Sequence, residues 1–120
     1  MDSSGGDWPR PVVHWEIVAR DPERQAAFYG ELFSWAVGEG PIKAIPPGLG
    51  GPEPGPAGHI RAGGTPGVVL YVQVRDIAAS LVRVEELGGQ RLTDPFEPPG
   101  GPTIAAVLDP EGNGLMLVQQ

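Results

Sequence analysis

Two stretches of this sequence can be laid over one another at a fixed offset, and that repeat limits the possible folds more than any other feature. Placing Arg75-Asp76 on Arg20-Asp21 gives an offset of 55 residues, from Asp21 to Asp76, at which Val68 meets Val13, Glu86 meets Glu31 and Leu87 meets Leu32. In each copy a β-favouring run leads into an Asp and then into a helical pattern. Two copies of one supersecondary unit bury their apolar faces together, and a cleft is expected where they face one another.

In the first copy, the alternation over Val12 to Ala19 sets His14, Glu16 and Arg20 on one strand face and Val13, Trp15, Ile17 and Ala19 on the other. Trp15 and Ile17 are therefore expected against helices, with His14 and Glu16 on the concave side of the sheet. Asp21-Pro22 is a strong helix start, because Asp accepts from first-turn amides and Pro suits the first helical position. Phe28, Tyr29, Leu32 and Phe33 make an apolar face, and these aromatics are read with Trp35 as core. The helix should end at Phe33 or Ser34. Trp35 to Val37 and Ile42 to Ile45 read as short β pieces around a Gly-Glu-Gly-Pro turn. The Pro/Gly stretch over 46–58 is a loop whose length allows a lid over a site. His59 to Ala62 reads as a short strand with His59 and Arg61 on one face.

In the second copy, Gly67 to Val74 is a strand, and Asp76 caps a helix whose apolar face holds Ile77, Leu81, Val84 and Leu87. Gly88-Gly89 ends it by supplying the left-handed position. Arg91-Leu92, Thr103 to Leu108 and Gly114 to Val118 complete the strands, with the turn LDPEGNG between the last two. Each half thus reads strand, helix, three strands. This organisation is α+β: one domain over 12–120, with units at about 12–62 and 67–120, after a flexible tail over 1–11 that Trp8 is placed to pin.

Composition narrows the function. The chain has 120 residues, enough for one core without staples, and no cysteine, which excludes disulfides, thiolate nucleophiles and cysteine metal sites. No apolar run approaches the roughly 18 residues that span a bilayer, and the first residues lack the basic and apolar regions of a signal peptide, so a cytoplasmic protein is expected. A formal net charge of −7 argues against a nucleic-acid surface, which calls for clustered Lys and Arg.

The combination HWEIVARDPERQAAFYGELFSW, YVQVRDIAASLVRVEELGG and AAVLDPEGNGLMLVQQ resembles the vicinal oxygen chelate superfamily, which includes glyoxalase I, bleomycin-resistance proteins and extradiol dioxygenases. The likeness covers nearly the whole chain and is greatest to small glyoxalase-like members. It implies paired βαβββ modules in a curved, cup-shaped mixed sheet with helices outside, often completed by homodimerisation. The superfamily's metalloenzymes hold a divalent ion (Ni, Zn, Mn or Fe) with one side chain from the first and one from the last strand of each module. By the resemblance His14 takes the first of these positions, Val69 its counterpart in the second module, and Met116 the last-strand position where a Glu is usual. His59 or Arg61 takes the remaining one.

Valine offers a metal no donor and methionine only a soft thioether. His14, Glu16, His59, Arg61, Val69, Tyr71 and Met116 are therefore read as lining a ligand-binding cleft with an apolar floor and polar anchors, with no metal favoured. Such a cup suits a small organic ligand, aromatic or amphipathic, and the function expected is small-molecule binding of the sequestration or resistance type. The alternative is a metal-dependent lyase, isomerase or dioxygenase whose metal is held by His14, His59 and Glu16. Glu16 reads either as a general base or as a carboxylate paired with Arg61 or Arg75. No Ser-His-Asp order supports covalent catalysis.

Overall fold

The computed structural model describes residues 8–47 and 55–119. The expected tail, up to residue 7, and the centre of the proposed lid, 48–54, lie outside the described residues. Nine elements follow in the order β1 (Val12–Ala19), α1 (Pro22–Phe33), β2 (Ile42–Ile45), β3 (Gly58–Ala62), β4 (Gly67–Val74), α2 (Ile77–Glu86), β5 (Gln90–Arg91), β6 (Ile104–Leu108) and β7 (Gly114–Gln119). The strands form one mixed, curved sheet in the order β2-β3-β1-β4-β7-β6-β5.

The repeat is visible in this order. β1 and β4 have the same length and start 55 residues apart, at Val12 and Gly67. Each pairs in parallel with the last strand of its own unit, β1 with β3 and β4 with β7, and the two units join where β1 meets β4 antiparallel. A parallel pair needs a crossover, and α1 and α2 supply it on the face opposite the cleft.

Both helices begin as read. Asp21 accepts from the Arg24 amide at 3.1 Å and Asp76 from that of Ala79 at 3.0 Å, each satisfying a first-turn donor that has no helical partner. Gly88, with φ 94°, closes α2 in a left-handed conformation, and α1 ends on Ser34 in the same region at φ 59°. The core divides into two clusters under the helices. Ile17, Ala19, Ile45 and Ile60 pack with Trp15, Tyr29 and Trp35 in the first unit; Val74, Ile77, Leu81, Ala105, Val107 and Leu117 pack in the second. Gly58 lies directly under the Trp15 ring, where a Cβ would overlap it, so the close approach of β3 to β1 requires glycine there.

Four details depart from the sequence reading. Trp35 to Val37 is not a strand: the chain leaves α1 through left-handed Ser34, the Trp35 ring turns into the cluster with Trp15 and Tyr29, and only the Gly38 amide bonds back, to Ala44 O at 2.9 Å. The first unit therefore has two strands after its helix among the described residues. Leu92 falls just outside β5, its amide bonding to Ala106 O beyond the short ladder. Phe28, Leu32 and Phe33 are 54%, 59% and 52% exposed, so they are not core. α1 seats on the sheet through Ala26 and Tyr29, while Phe33 stacks on Tyr29 and tilts against Trp35 instead of reaching the strands. Leu87, the C-cap of α2, is likewise exposed.

Leu81 is fully buried, and Leu81→Ala leaves a cavity in the second cluster expected to cost about 2–5 kcal/mol. Leu87→Ala should change stability by no more than about 0.5 kcal/mol. Urea denaturation of both variants checks the contrast; equal losses would contradict this account of the α2 interface.

Candidate functional site

The face of the sheet away from the helices carries an open cavity of about 750 Å³. Strand register decides what lines it, because directly paired residues on neighbouring strands share a face. Across the central antiparallel pair, His14 meets Tyr71 and Glu16 meets Val69. Across the parallel pairs, Glu16 meets His59 and Tyr71 meets Met116. His14, Glu16, His59, Arg61, Tyr71 and Met116 all line the cavity. Val69 does not: it pairs beside Glu16, one step further toward the start of β4 than Tyr71. The same register settles which first-unit residue corresponds to Met116. His59 stands to Glu16 as Met116 stands to Tyr71, so the counterpart is His59 rather than Arg61.

The polar residues form one connected group. His14 Nε2 and His59 Nδ1 lie 2.7 Å apart, and His59 Nε2 lies 2.9 Å from Glu16 Oε2. Arg61 Nε and the Tyr71 hydroxyl donate to the same Oε2, at 2.5 and 3.2 Å. Glu16 is 1% exposed, and its Oε1 has no hydrogen-bond partner. Arg61 is thus the partner of Glu16; Arg75 instead lies over the Trp8 ring at 4.7 Å.

Burial acts on each titrating group, and its neighbours decide the outcome. Glu16 is pushed up by burial, but hydrogen bonds from His59 and Arg61 and their charges outweigh this and hold its carboxyl below the ordinary value. Burial, then the neighbouring His59, hold His14 below its ordinary value against the pull of Glu16. Tyr71 is pushed up to about 12, by burial first and then by the Glu16 carboxylate it donates to.

The resemblance implies a divalent cation, and the donor atoms show whether these residues suit one. A metal needs nitrogen or oxygen lone pairs free to replace its waters. Here Glu16 Oε2 is shared among three donors, the two histidines turn nitrogens toward each other, and the Arg61 guanidinium sits alongside. Among the described residues no group of three or more His, Asp or Glu is placed to hold a metal ion. So arranged, the donors do not fit a cation.

The sequence reading missed the cavity's apolar wall. Phe96, Pro98, Pro99 and Pro102 line it from the loop before β6, together with Ile42, Ile104 and Val118. Phe96 is fastened by paired backbone bonds with Ile104, at 2.9 and 2.8 Å, which folds a proline-rich segment back over the sheet. Its prolines and glycines mark that segment as a loop but do not show where it returns. Val13 also lines the cavity, although simple alternation sets it on the other face: the β1–β4 register shifts between Val12 and His14, and the bulge re-aims its side chain.

A carboxyl held below its ordinary value binds its proton less readily in the folded than in the unfolded chain. The stability it contributes is complete above the ordinary value of 4.5 and is lost as pH falls through the depressed one. Glu16→Gln should cost about 1–3 kcal/mol at neutral pH, and the gap to the parent protein should narrow as pH falls below 4.5. Denaturation midpoints across that range check it; a gap independent of pH would contradict the ionised Glu16.

The family model described as "Glyoxalase-like domain" matches residues 13–118. A glyoxylase-like domain-containing protein from Didymella fabae is 32% identical over 108 residues, covering 82% of this chain and 84% of that one. Among solved structures, a hypothetical protein from Bacillus halodurans C-125 superposes with a TM-score of 0.69 at 13% identity, covering 94% of this chain and 96% of that one. A glyoxalase/bleomycin resistance protein/dioxygenase superfamily member from Vibrio splendidus 12B01 gives 0.65 at 18% identity, covering 93% and 100%. Methylmalonyl-CoA epimerase from Mycobacterium tuberculosis gives 0.62 at 15% identity, covering 90% and 86%. At these identities the structures bear on the fold, and it is the same fold. With the sequence match running from β1 into β7, the chain belongs to the glyoxalase-like domain family.

Proposed function

We propose that this protein is a metal-free small-molecule binding protein of the sequestration or resistance type, acting in the cytoplasm as a homodimer of single domains over 12–120. The observation that carries the reading is the state of the polar cluster: Glu16 Oε2 is engaged by His59, Arg61 and Tyr71, and His14 and His59 turn ring nitrogens toward each other. Such a cluster anchors one end of a ligand without needing a cation. The walls supply the rest, since Phe96, Ile104, Met116 and three prolines give apolar surface to a cavity within the size range of drug-sized ligands. His14, Glu16, His59, Arg61, Tyr71 and Met116 are the contacts this reading assigns.

The homodimer is supported by the exposed Phe28, Leu32 and Phe33 on α1, an apolar patch a second chain would cover. The cytoplasmic location is supported by the lack of cysteine. Among the described residues no helix is long and apolar enough to cross a membrane.

A second reading keeps a metal, and the convergence of His14, His59 and Glu16 favours it. There the protein is a lyase, isomerase or dioxygenase, a reading supported by the likeness in fold to the protein named methylmalonyl-CoA epimerase. Incubation with Ni, Zn, Mn or Fe, dialysis and elemental analysis separate the two. Retention far below one equivalent is expected; retention near one equivalent, lost in His14→Ala, would replace the binder by the metalloenzyme. Sedimentation velocity should show a dimer that Phe28→Glu shifts toward monomer, and a parent protein monomeric at micromolar concentration would remove the homodimer from the proposal.

A further inference from the structure

We infer that the cavity takes an amphipathic carboxylate, with the anion on the guanidinium of Arg61 and the apolar body against the wall of Phe96 and the prolines. The inference names the ligand class of the binding site proposed above and rests on that reading.

The two members of the Arg61–Glu16 ion pair meet the cavity unequally. The Arg61 side chain is 41% exposed and that of Glu16 only 1%, so the carboxylate lies behind and the cation in front. An entering molecule meets the positive partner first. A guanidinium carries five N–H donors. Two are spent inside the protein: Nε on Glu16 Oε2 at 2.5 Å, and one Nη1 hydrogen on Ala62 O at 3.1 Å. Among the described residues the second Nη1 hydrogen and both on Nη2 have no protein partner. A planar, permanently charged donor with hydrogens to spare suits a carboxylate.

This holds wherever the histidine protons lie. With His14 and His59 neutral, Arg61 and Glu16 balance and the exposed member is still the cation; a proton on either imidazole adds positive charge to the same site. The chain's net charge of −7 is the main opposing influence, since at long range it favours a cationic guest. Such a guest finds no counter-ion at the cavity surface. Among the described lining residues Glu16 is the one carboxylate, and its free oxygen, Oε1, is itself buried. Acids remote from the cup are screened by physiological salt over roughly 8 Å. Placement supplies the rest of the ligand's character. Arg61 stands on β3 and the Phe96 loop precedes β6, with β1, β4 and β7 between them, so the anion and the apolar body are received on opposite sides of the cup.

The test compares 2-naphthoate, 2-naphthamide and 2-naphthylmethylamine by titration calorimetry on the full chain, stripped of metal on a chelating resin, in physiological salt at neutral pH. The three share a ring system and present an anion, a neutral amide or a cation. Stripping removes any metal that would hold a carboxylate by itself. The naphthoate should bind roughly tenfold more tightly than the amide, the worth of charge on a hydrogen-bonded contact, and the amine more weakly than either. Arg61→Lys keeps a charge for buried Glu16 and removes the second terminal nitrogen, so it should fold and lose most of that preference. Guanidinium nitrogen spectra of the parent protein give a second readout: the Arg61 resonances should shift with the naphthoate and stay in place with the amide. Equal or tighter binding of the amide or the amine, full preference retained in Arg61→Lys, or Arg61 resonances unmoved by bound naphthoate overturns the inference. Binding without preference leaves the binding reading standing; binding of none of the three overturns both.

Discussion

A single carboxylate oxygen in the middle of the sheet holds the concave face together. Glu16 Oε2, on the strand where the two halves meet, takes Arg61 and His59 from one neighbouring strand and Tyr71 from the other. A buried charge without partners would be costly, and one with three donors stays ionised instead. The donors depend on it in turn, since each would otherwise have a polar hydrogen facing an apolar cup. The register of three strands is therefore coupled at one atom.

This coupling explains how the two halves, alike in backbone, differ in chemistry. Glu16 and His59 in the first unit occupy the places that Tyr71 and Met116 occupy in the second. One half supplies charge and imidazole, the other a phenol and a thioether. The cup is consequently polar at one side and apolar at the other, and the proline-rich loop carrying Phe96 extends the apolar side.

The parts of the fold that were legible in the sequence are those set by local chemistry. Asp21 and Asp76 announce helix starts because their side chains answer amides three residues on, and Gly88 announces an end because few other residues accept its φ. The alternation in β1 put His14 and Glu16 on the cleft side for the same local reason. What failed depended on distant contacts. Phe28, Leu32 and Phe33 have core-like spacing, yet α1 rests on Ala26 and Tyr29, and nothing within a helix says how it will roll on a sheet. Val13 faces the cavity because of a bulge against β4, and Phe96 because its loop pairs with Ile104; neither partner is near in sequence. The inward turn of His59 is also a matter of register, fixed by its pairing with Glu16.

The packing of Trp15 against Trp35 has a consequence for how this molecule reports on itself. Their ring centroids are 5.5 Å apart in the cluster beneath α1, and Trp8 stands near Arg75; none of the three lines the cavity. Tryptophan emission will therefore follow the seating of the first helix and the docking of the N-terminal segment. A guest entering the cup on the opposite face of the sheet will leave the indoles nearly untouched, whereas loosening of α1 will register at once. The protein carries an optical gauge of its outer layer and a cavity that the gauge does not see.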